Sequence, residues 1–413
     1  MLPPAPPRRF LFLQGPTCAF FPEVAAGLRA LGHACHRINL CLGDKLFWRG
    51  PGAVDFRGKS RDWPGFIAGF LDREAITDLV LLGEQRLYHR QAIAAAKARG
   101  VQVVVTDYGY IRPDWLILER DGLGAGSLFP RGPAAIRALA ASLPPIDFAQ
   151  HYADSFPAQA AGDVAYHLAN LLPWPFPHYR RFTLHHPVLN YLGTGWQLLT
   201  RRLQTRASAA LLHRLAGQEL HLYAMQMETD FSIRAYSRFA DNDEALAAAI
   251  ASFARGARPA AHLLVKVHPL DPGLKHWPGR VAQMARQAGV AGRVHFLGGA
   301  LHMDRAIDAC RSVVTVNSTL AIRALQKARP VLALGEAIYG LPGLTWQGAA
   351  DGFWRHGTAP DAGLVEAFIR GVAACLQIRG VGFQRPGLDA AVRNAVRRLH
   401  LGALNVPLAE VLG

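Results

Sequence analysis

The chain has 413 residues, 51% of them hydrophobic and 18% charged, with 40 glycines and 27 prolines. That composition excludes a disordered polypeptide, and the length exceeds what one ordinary core supports, so two substantial domains are expected. Lysine and arginine outnumber the acids 45 to 30, a formal charge of +15; this calls for anionic partners without choosing among nucleic acid, an anionic membrane face, a phospholipid or a nucleotide sugar.

The opening residues, Met1 to Arg9, are proline-rich and lack the apolar stretch and cleavage site of a secretion signal. No apolar run reaches the roughly 18 residues of a spanning helix, and the five cysteines form no CxxC pair. A reducing cytoplasm is expected, with any membrane association peripheral. Phe10 to Leu13 reads as a buried strand, Gln14 to Thr17 as a turn and Pro22 to Leu31 as a helix stopped by Gly32. Strands follow at His36 to Leu40 and Leu79 to Leu82, then a helix from Arg90 to Arg99 and a strand at Val101 to Thr106.

From about Gly122 to Leu215 the strand signal fades into helical, aromatic and basic sequence. Alternation then restarts: strands at His221 to Met225, His262 to Val267, Val294 to Leu297, Val313 to Val316 and Val331 to Leu334, with helices at Glu244 to Arg255 and Thr319 to Lys327. Strand–helix alternation predicts α/β architecture, here two Rossmann-like domains facing a central cleft, the arrangement called GT-B. The expected division is an acceptor domain over 1–212, a nucleotide-sugar domain over 213–390 and a terminal helical segment over 391–413.

Ligands of open α/β sheets lie beyond the carboxyl ends of the strands, so the residues there are the candidates. Lys266-Val267-His268-Pro269 sets a cation and an imidazole at one strand end, suited to a phosphate. Asn317-Ser318-Thr319 precedes a helix and reads either as an N-cap or as the second half of an anion site. In Gln226 to Arg234, Asp230 is a nucleophile, a base or the cap of a following turn. Asp107 and Arg112 follow a strand of the first domain, combining a carboxylate with a guanidinium fit for carboxylate binding. One acid from each domain meeting at a sugar is what a double displacement requires. No metal-ligand spacing and no GxxxxGK[ST] run occurs, so neither metal nor cofactor is expected.

At these residues the sequence resembles the capsule polysaccharide biosynthesis and export family, whose members look like retaining β-Kdo transferases. The resemblance runs through Phe12-Leu13-Gln14-Gly15-Pro16, Gly32-His33, Arg37-Ile38-Asn39, Gly43-Asp44, Tyr88-His89-Arg90, Gly109 to Trp115, Lys266 to Pro269, Asn317 to Thr319 and Gly343-Leu344-Thr345. It implies a GT-B fold, CMP-Kdo as donor substrate, and a phosphatidylglycerol-type lipid or growing Kdo linker as acceptor. It also implies no metal. Nucleic acid is not expected as a partner; the positive charge of the chain points instead to peripheral attachment at the anionic inner-membrane surface, beside other capsule proteins. By the same resemblance Lys266, His268 and Pro269 hold the CMP phosphate, with Ser318 and Thr319 completing that site; Asn317 and Gln226, at the neighbouring strand ends, are further donor-side candidates. Asp230 is then the carboxylate nearest the anomeric carbon. The carboxylate of Kdo needs a cationic partner, and on chemical grounds Arg112 is the choice. Gln14, Gly15, Arg86 and His89 fall on the acceptor side. Asp107 stands where relatives tend to have glutamate. The rival expectations are an inverting transferase with another nucleotide sugar and a non-catalytic glycolipid-binding protein of capsule export. Arg180, Arg181, Arg201, Arg202 and Arg206, among Trp174, Phe176, Tyr179, Tyr191 and Trp196, are expected to form a membrane-facing patch.

Overall fold

A computed structural model describes residues 2–48, 50–172, 174–181 and 185–408. The chain divides into two compact units: the first comprises Met1–Pro130, Ala138–Phe182 and Ile369–Gly413, the second Arg131–Arg137 and Thr183–Phe368. In chain order the first unit contributes β1 (Arg9–Phe12), β2 (Ala34–Asn39), β3 (Ala53–Asp55), β4 (Asp78–Leu82), β5 (Gln102–Tyr108) and β6 (Trp115–Arg120). The second contributes β7 (Leu220–Ala224), β8 (His262–Lys266), β9 (Val294–Leu297), β10 (Ser312–Thr315) and β11 (Val331–Ala333). The chain then returns to the first sheet with β12 (Gln377–Arg379).

The first sheet runs β12-β6-β5-β4-β1-β2-β3, parallel from β5 to β3, with β6 antiparallel to both of its neighbours. Its central strands are apolar in their middles, at Phe10–Phe12, Leu79–Leu81 and Val103–Val105, because both faces are covered there. Phe10 and Phe12 pack on one side with Val24, Leu28, Ala391 and Leu399, whereas Leu11 and Leu13 pack on the other with Trp63, Ile67 and Phe70. The helix Gly387–Leu401 lies so close to the helix Phe20–Ala30 that a Cβ on Gly27 would meet Val396 Cγ2 at 2.7 Å. The contacts therefore assign 369–413 to the first unit, whereas the sequence-based division ran the second domain from 213 to 390 and left 391–413 as a separate segment.

The second sheet, β11-β10-β7-β8-β9, is parallel throughout. Tyr223, Leu263, Val265, Val314 and Leu332 pack on Leu246, Phe253 and Trp354. Its chain order about β7 is that of a doubly wound nucleotide-binding sheet, in which the path reverses direction between β7 and β10. The first sheet reverses between β1 and β4. Each unit is thus the α/β sheet that the alternation predicted.

Candidate functional site

In the second unit the side chains that follow β7 and β10 meet at the switch point. Gln226 is buried, and its Nε2 donates to Asp230 Oδ2 (3.0 Å), Ser232 Oγ (3.0 Å) and Asn317 Oδ1 (2.8 Å). Asn317 N donates in return to Gln226 Oε1 (3.1 Å), and Asn242 Nδ2 fixes the Gln226 carbonyl (3.0 Å). Asp230 Oδ1 accepts from Ser232 N (2.9 Å), so it caps the short helix Phe231–Ala235 while its second oxygen is aimed by Gln226. Neutral donors hold this carboxylate. Glu228, close by, is instead consumed by Lys275 Nζ (2.7 Å), which also reaches Asp243 (2.5 Å).

Lys266 ends β8 fully buried, and its Nζ has no hydrogen-bond partner among the described residues. Burial pulls its pKa down to about 8. A buried ammonium without a counter-charge is costly, and a bound anion removes that cost. His268 is half-buried, and its Nδ1 accepts from Leu270 N (3.2 Å), which in the neutral ring leaves the proton on Nε2 as a donor. Pro269 is exposed. Ser318 Oγ accepts from Leu320 N (3.3 Å), and its carbonyl accepts from Tyr339 Oη (2.7 Å). Ser318 thus holds the turn that leads into the helix Leu320–Gln326, whose N-cap position is Thr319.

The first unit carries a cavity of about 270 Å³ at its own switch point. Gly15, Pro16 and Thr17 after β1, Leu82 and Arg86 after β4, and Thr106, Asp107 and Tyr108 of β5 line it. The helix Phe156–Ala169 completes it with Gln159, Asp163, Tyr166 and His167. Its size is near the lower end of small-molecule sites. Gly15 cannot be larger, since a Cβ there would fall 2.3 Å from the Phe21 ring. Beneath the cavity Gln14 is buried: its Nε2 lies 2.8 Å from Tyr166 Oη, 3.2 Å from Tyr179 Oη and 3.3 Å from both Asp44 oxygens. Asp44 in turn accepts from Leu40 N (2.8 Å) and pairs with Arg37 (3.4 Å).

Of the residues expected on the acceptor side, Gly15 and Arg86 line this cavity and Gln14 supports its floor. His89 does neither. It is fully buried, its Nδ1 donates to the Gly83 carbonyl (2.7 Å), and burial drives its pKa down to about 3. Asp107 faces the cavity, with Oδ1 accepting from Tyr108 N (2.7 Å). Arg112 is exposed in this unit, its guanidinium 5.5 Å above the Tyr108 ring. Sequence reasoning missed Ser232 and Asn242, and also Gln159, Asp163, Tyr166 and His167, whose i, i+4, i+7, i+8 spacing marks one helical face. The expected basic and aromatic patch divides. Phe176 is buried, Tyr179 stacks on Tyr88 and Arg181 donates to the Asn170 carbonyl, so these belong to the first unit's packing. Trp174 and Trp196 are exposed.

Residues 77–383, well over half of the chain, match the capsule polysaccharide biosynthesis protein family. Among curated proteins, the capsule polysaccharide export protein KpsS of Escherichia coli is 26% identical over 87% of this chain and 93% of its own length. The capsule polysaccharide modification protein LipB of Neisseria meningitidis serogroup B is 27% identical over 87% of each chain. Among solved structures, the β-Kdo 2,7 transferase of Thermosulfurimonas dismutans KpsC superposes with a TM-score of 0.46 at 12% identity, over 94% of this chain and 99% of that one. The chain belongs to the capsule polysaccharide biosynthesis protein family.

Proposed function

We propose that this protein transfers an activated sugar in capsule polysaccharide assembly, and that it does so as a metal-independent retaining β-Kdo transferase taking Kdo from CMP-β-Kdo. The observation that carries the reading is the polar cluster of Gln226, Asp230, Ser232 and Asn317 at the second unit's switch point, with the unpaired buried ammonium of Lys266 at the end of the adjacent strand. An anionic nucleotide sugar suits that cation, and the CMP-Kdo donor follows from the motif resemblance given above. Asp230, oriented by Gln226 and Ser232, attacks the anomeric carbon. The bond to the phosphate oxygen breaks, and CMP departs with the electron pair toward Lys266 and His268. The acceptor hydroxyl gives its proton to Asp107 and displaces Asp230. Two inversions give net retention. Arg112 binds the Kdo carboxylate, and the cavity lined by Gly15 and Arg86 receives the lipid-linked or Kdo-linker acceptor at the cytoplasmic face of the membrane, beside other capsule proteins.

The test is CMP release and product formation from CMP-Kdo with a phosphatidylglycerol-type acceptor, set against a panel of other nucleotide sugars. Asp230→Asn keeps an effective helix cap and removes the charge; it is expected to fold and bind CMP yet lose transfer. Turnover near wild type in that variant would remove Asp230 as nucleophile. Release from a different donor alone would favour the inverting rival, and CMP binding with no turnover on any donor the accessory-protein rival.

A further inference from the structure

The helix Pro187–Arg214 of the second unit is amphipathic in reverse. Its polar side chains face its own unit: Ser208 Oγ bonds both Gly298 N and Gly298 O (3.0 Å each), Thr205 Oγ1 accepts from Ala300 N (2.8 Å), and Gln204 Oε1 accepts from Gly299 N (3.0 Å). Gly193 approaches so closely that a Cβ would lie 2.4 Å from the Pro272 carbonyl oxygen. The opposite side carries Leu189, Leu192, Trp196, Leu199 and Leu203, which are 53%, 66%, 65%, 79% and 68% exposed. Their spacing of three and four residues places all five on one stripe, about 21 Å long at 1.5 Å per residue. Scattered exposed leucines need no explanation, but a continuous apolar stripe rimmed by polar residues marks an interaction surface.

We propose that this stripe docks on a bilayer surface bearing anionic headgroups. Charge selects that occupant. The helix contains no Asp or Glu, and Arg202 and Arg206, one turn apart and both exposed, run along one border of the stripe. A second copy of the same helix brings no carboxylate to meet them. An anionic surface meets them with opposite charge while its acyl region receives the leucines and Trp196 lies at the headgroup level. No described helix is long and apolar enough to cross a membrane, and the arginines within this one make it lie in the interface plane. The inference rests on this helix and stands apart from the sugar transfer proposed above; its test reads no turnover.

The full chain is sedimented with vesicles of phosphatidylcholine alone or mixed with phosphatidylglycerol, at low and high salt. Binding is expected only with phosphatidylglycerol, weakening as salt rises, with a blue shift of Trp196 emission. Arg202→Glu with Arg206→Glu, and separately Leu192→Glu with Leu199→Glu, should each lower partitioning on the order of tenfold, with melting and circular dichroism unchanged because all four side chains are exposed. Wild-type pelleting by both double variants overturns the proposal. So does concentration-dependent self-association that the leucine variant abolishes while vesicles bind nothing.

Discussion

Both sheets carry a buried glutamine two residues beyond their first strand, Gln14 after β1 and Gln226 after β7, and the two are used in opposite ways. Gln14 turns down into a floor of Asp44, Tyr166 and Tyr179, and the small residues after it leave open the cavity bordered by Gly15. Gln226 reaches across to Asn317 and Asp230, tying the two strand ends together. The same topological position thus provides room in one unit and an oriented carboxylate in the other. A strand order fixes where chemistry can sit; the side chains following the strands fix whether the place receives a group or presents one.

The largest effect expected from breaking this division of labour is in the second unit. His268→Ala should weaken CMP binding and lower transfer on the order of 10² to 10³-fold, the usual cost of removing a donor from a site where charge develops. Unchanged CMP affinity and turnover would move the donor site elsewhere. Lys266→Met sharpens the same contrast by separating stability from binding. It removes a buried cation whose Nζ has no hydrogen-bond partner among the described residues, so the protein without CMP should gain about 1 to 3 kcal/mol while losing affinity for CMP. A destabilised variant would show that the ammonium has a partner of its own. Calorimetry with and without CMP reads both terms.

The paired glutamines offer a more even comparison. Gln14→Ala and Gln226→Ala should each cost about 1 to 2 kcal/mol, because each leaves hydrogen-bonding groups without their partner. Only Gln226→Ala should also disturb CMP binding, and only Gln14→Ala the affinity for acceptor. Equal effects on both ligands would erase the distinction between the units. The smallest effect is shared. His89 in the first unit and His221 in the second are buried, and burial drives their pKa values down to about 3 and about 4. Both are neutral in the fold and gain protons on unfolding, so their contribution is complete above pH 6.5 and declines as pH falls toward those values. Each should cost about 1 kcal/mol between pH 6.5 and 5.5. Thermal melts across that interval check it, and a level melting temperature would contradict the burial of both rings.

The parts of the fold legible in the sequence were those with local signals. The apolar runs of β1, β4, β5 and every strand of the second sheet announce themselves because parallel strands covered on both faces are apolar at nearly every position. β3 escaped because it is three residues long and largely exposed. β12 escaped because Gln377 and Arg379 read as polar, although the fold buries them by giving Gln377 Oε1 the Ile111 N–H (2.9 Å) and Arg379 the Asp114 carboxylate (3.4 Å). Those partners lie more than 260 residues away in sequence, and no local pattern encodes them. The donor-side cluster was legible because strand ends are where ligands gather, so Gln226, Asp230 and Asn317 could be named before they were seen to touch. The far wall of the first unit's cavity was not, since Gln159, Asp163 and Tyr166 sit on a helix whose face turns toward the site only once the tertiary structure is known.

The return of the chain to its first sheet imposes an order of events during synthesis. β6 lies beside β12 in the finished sheet, yet β12 is specified by residues 377–379, and the helix that covers Val24 and Leu28 begins at Gly387. While a ribosome makes this protein, the whole second unit emerges before the first can close, and through that interval β6 presents an unpaired edge and the helix Phe20–Ala30 lacks its cover over Val24 and Leu28. A premature stop near residue 370 would therefore spare the second unit it has just completed and cripple the one that was begun first.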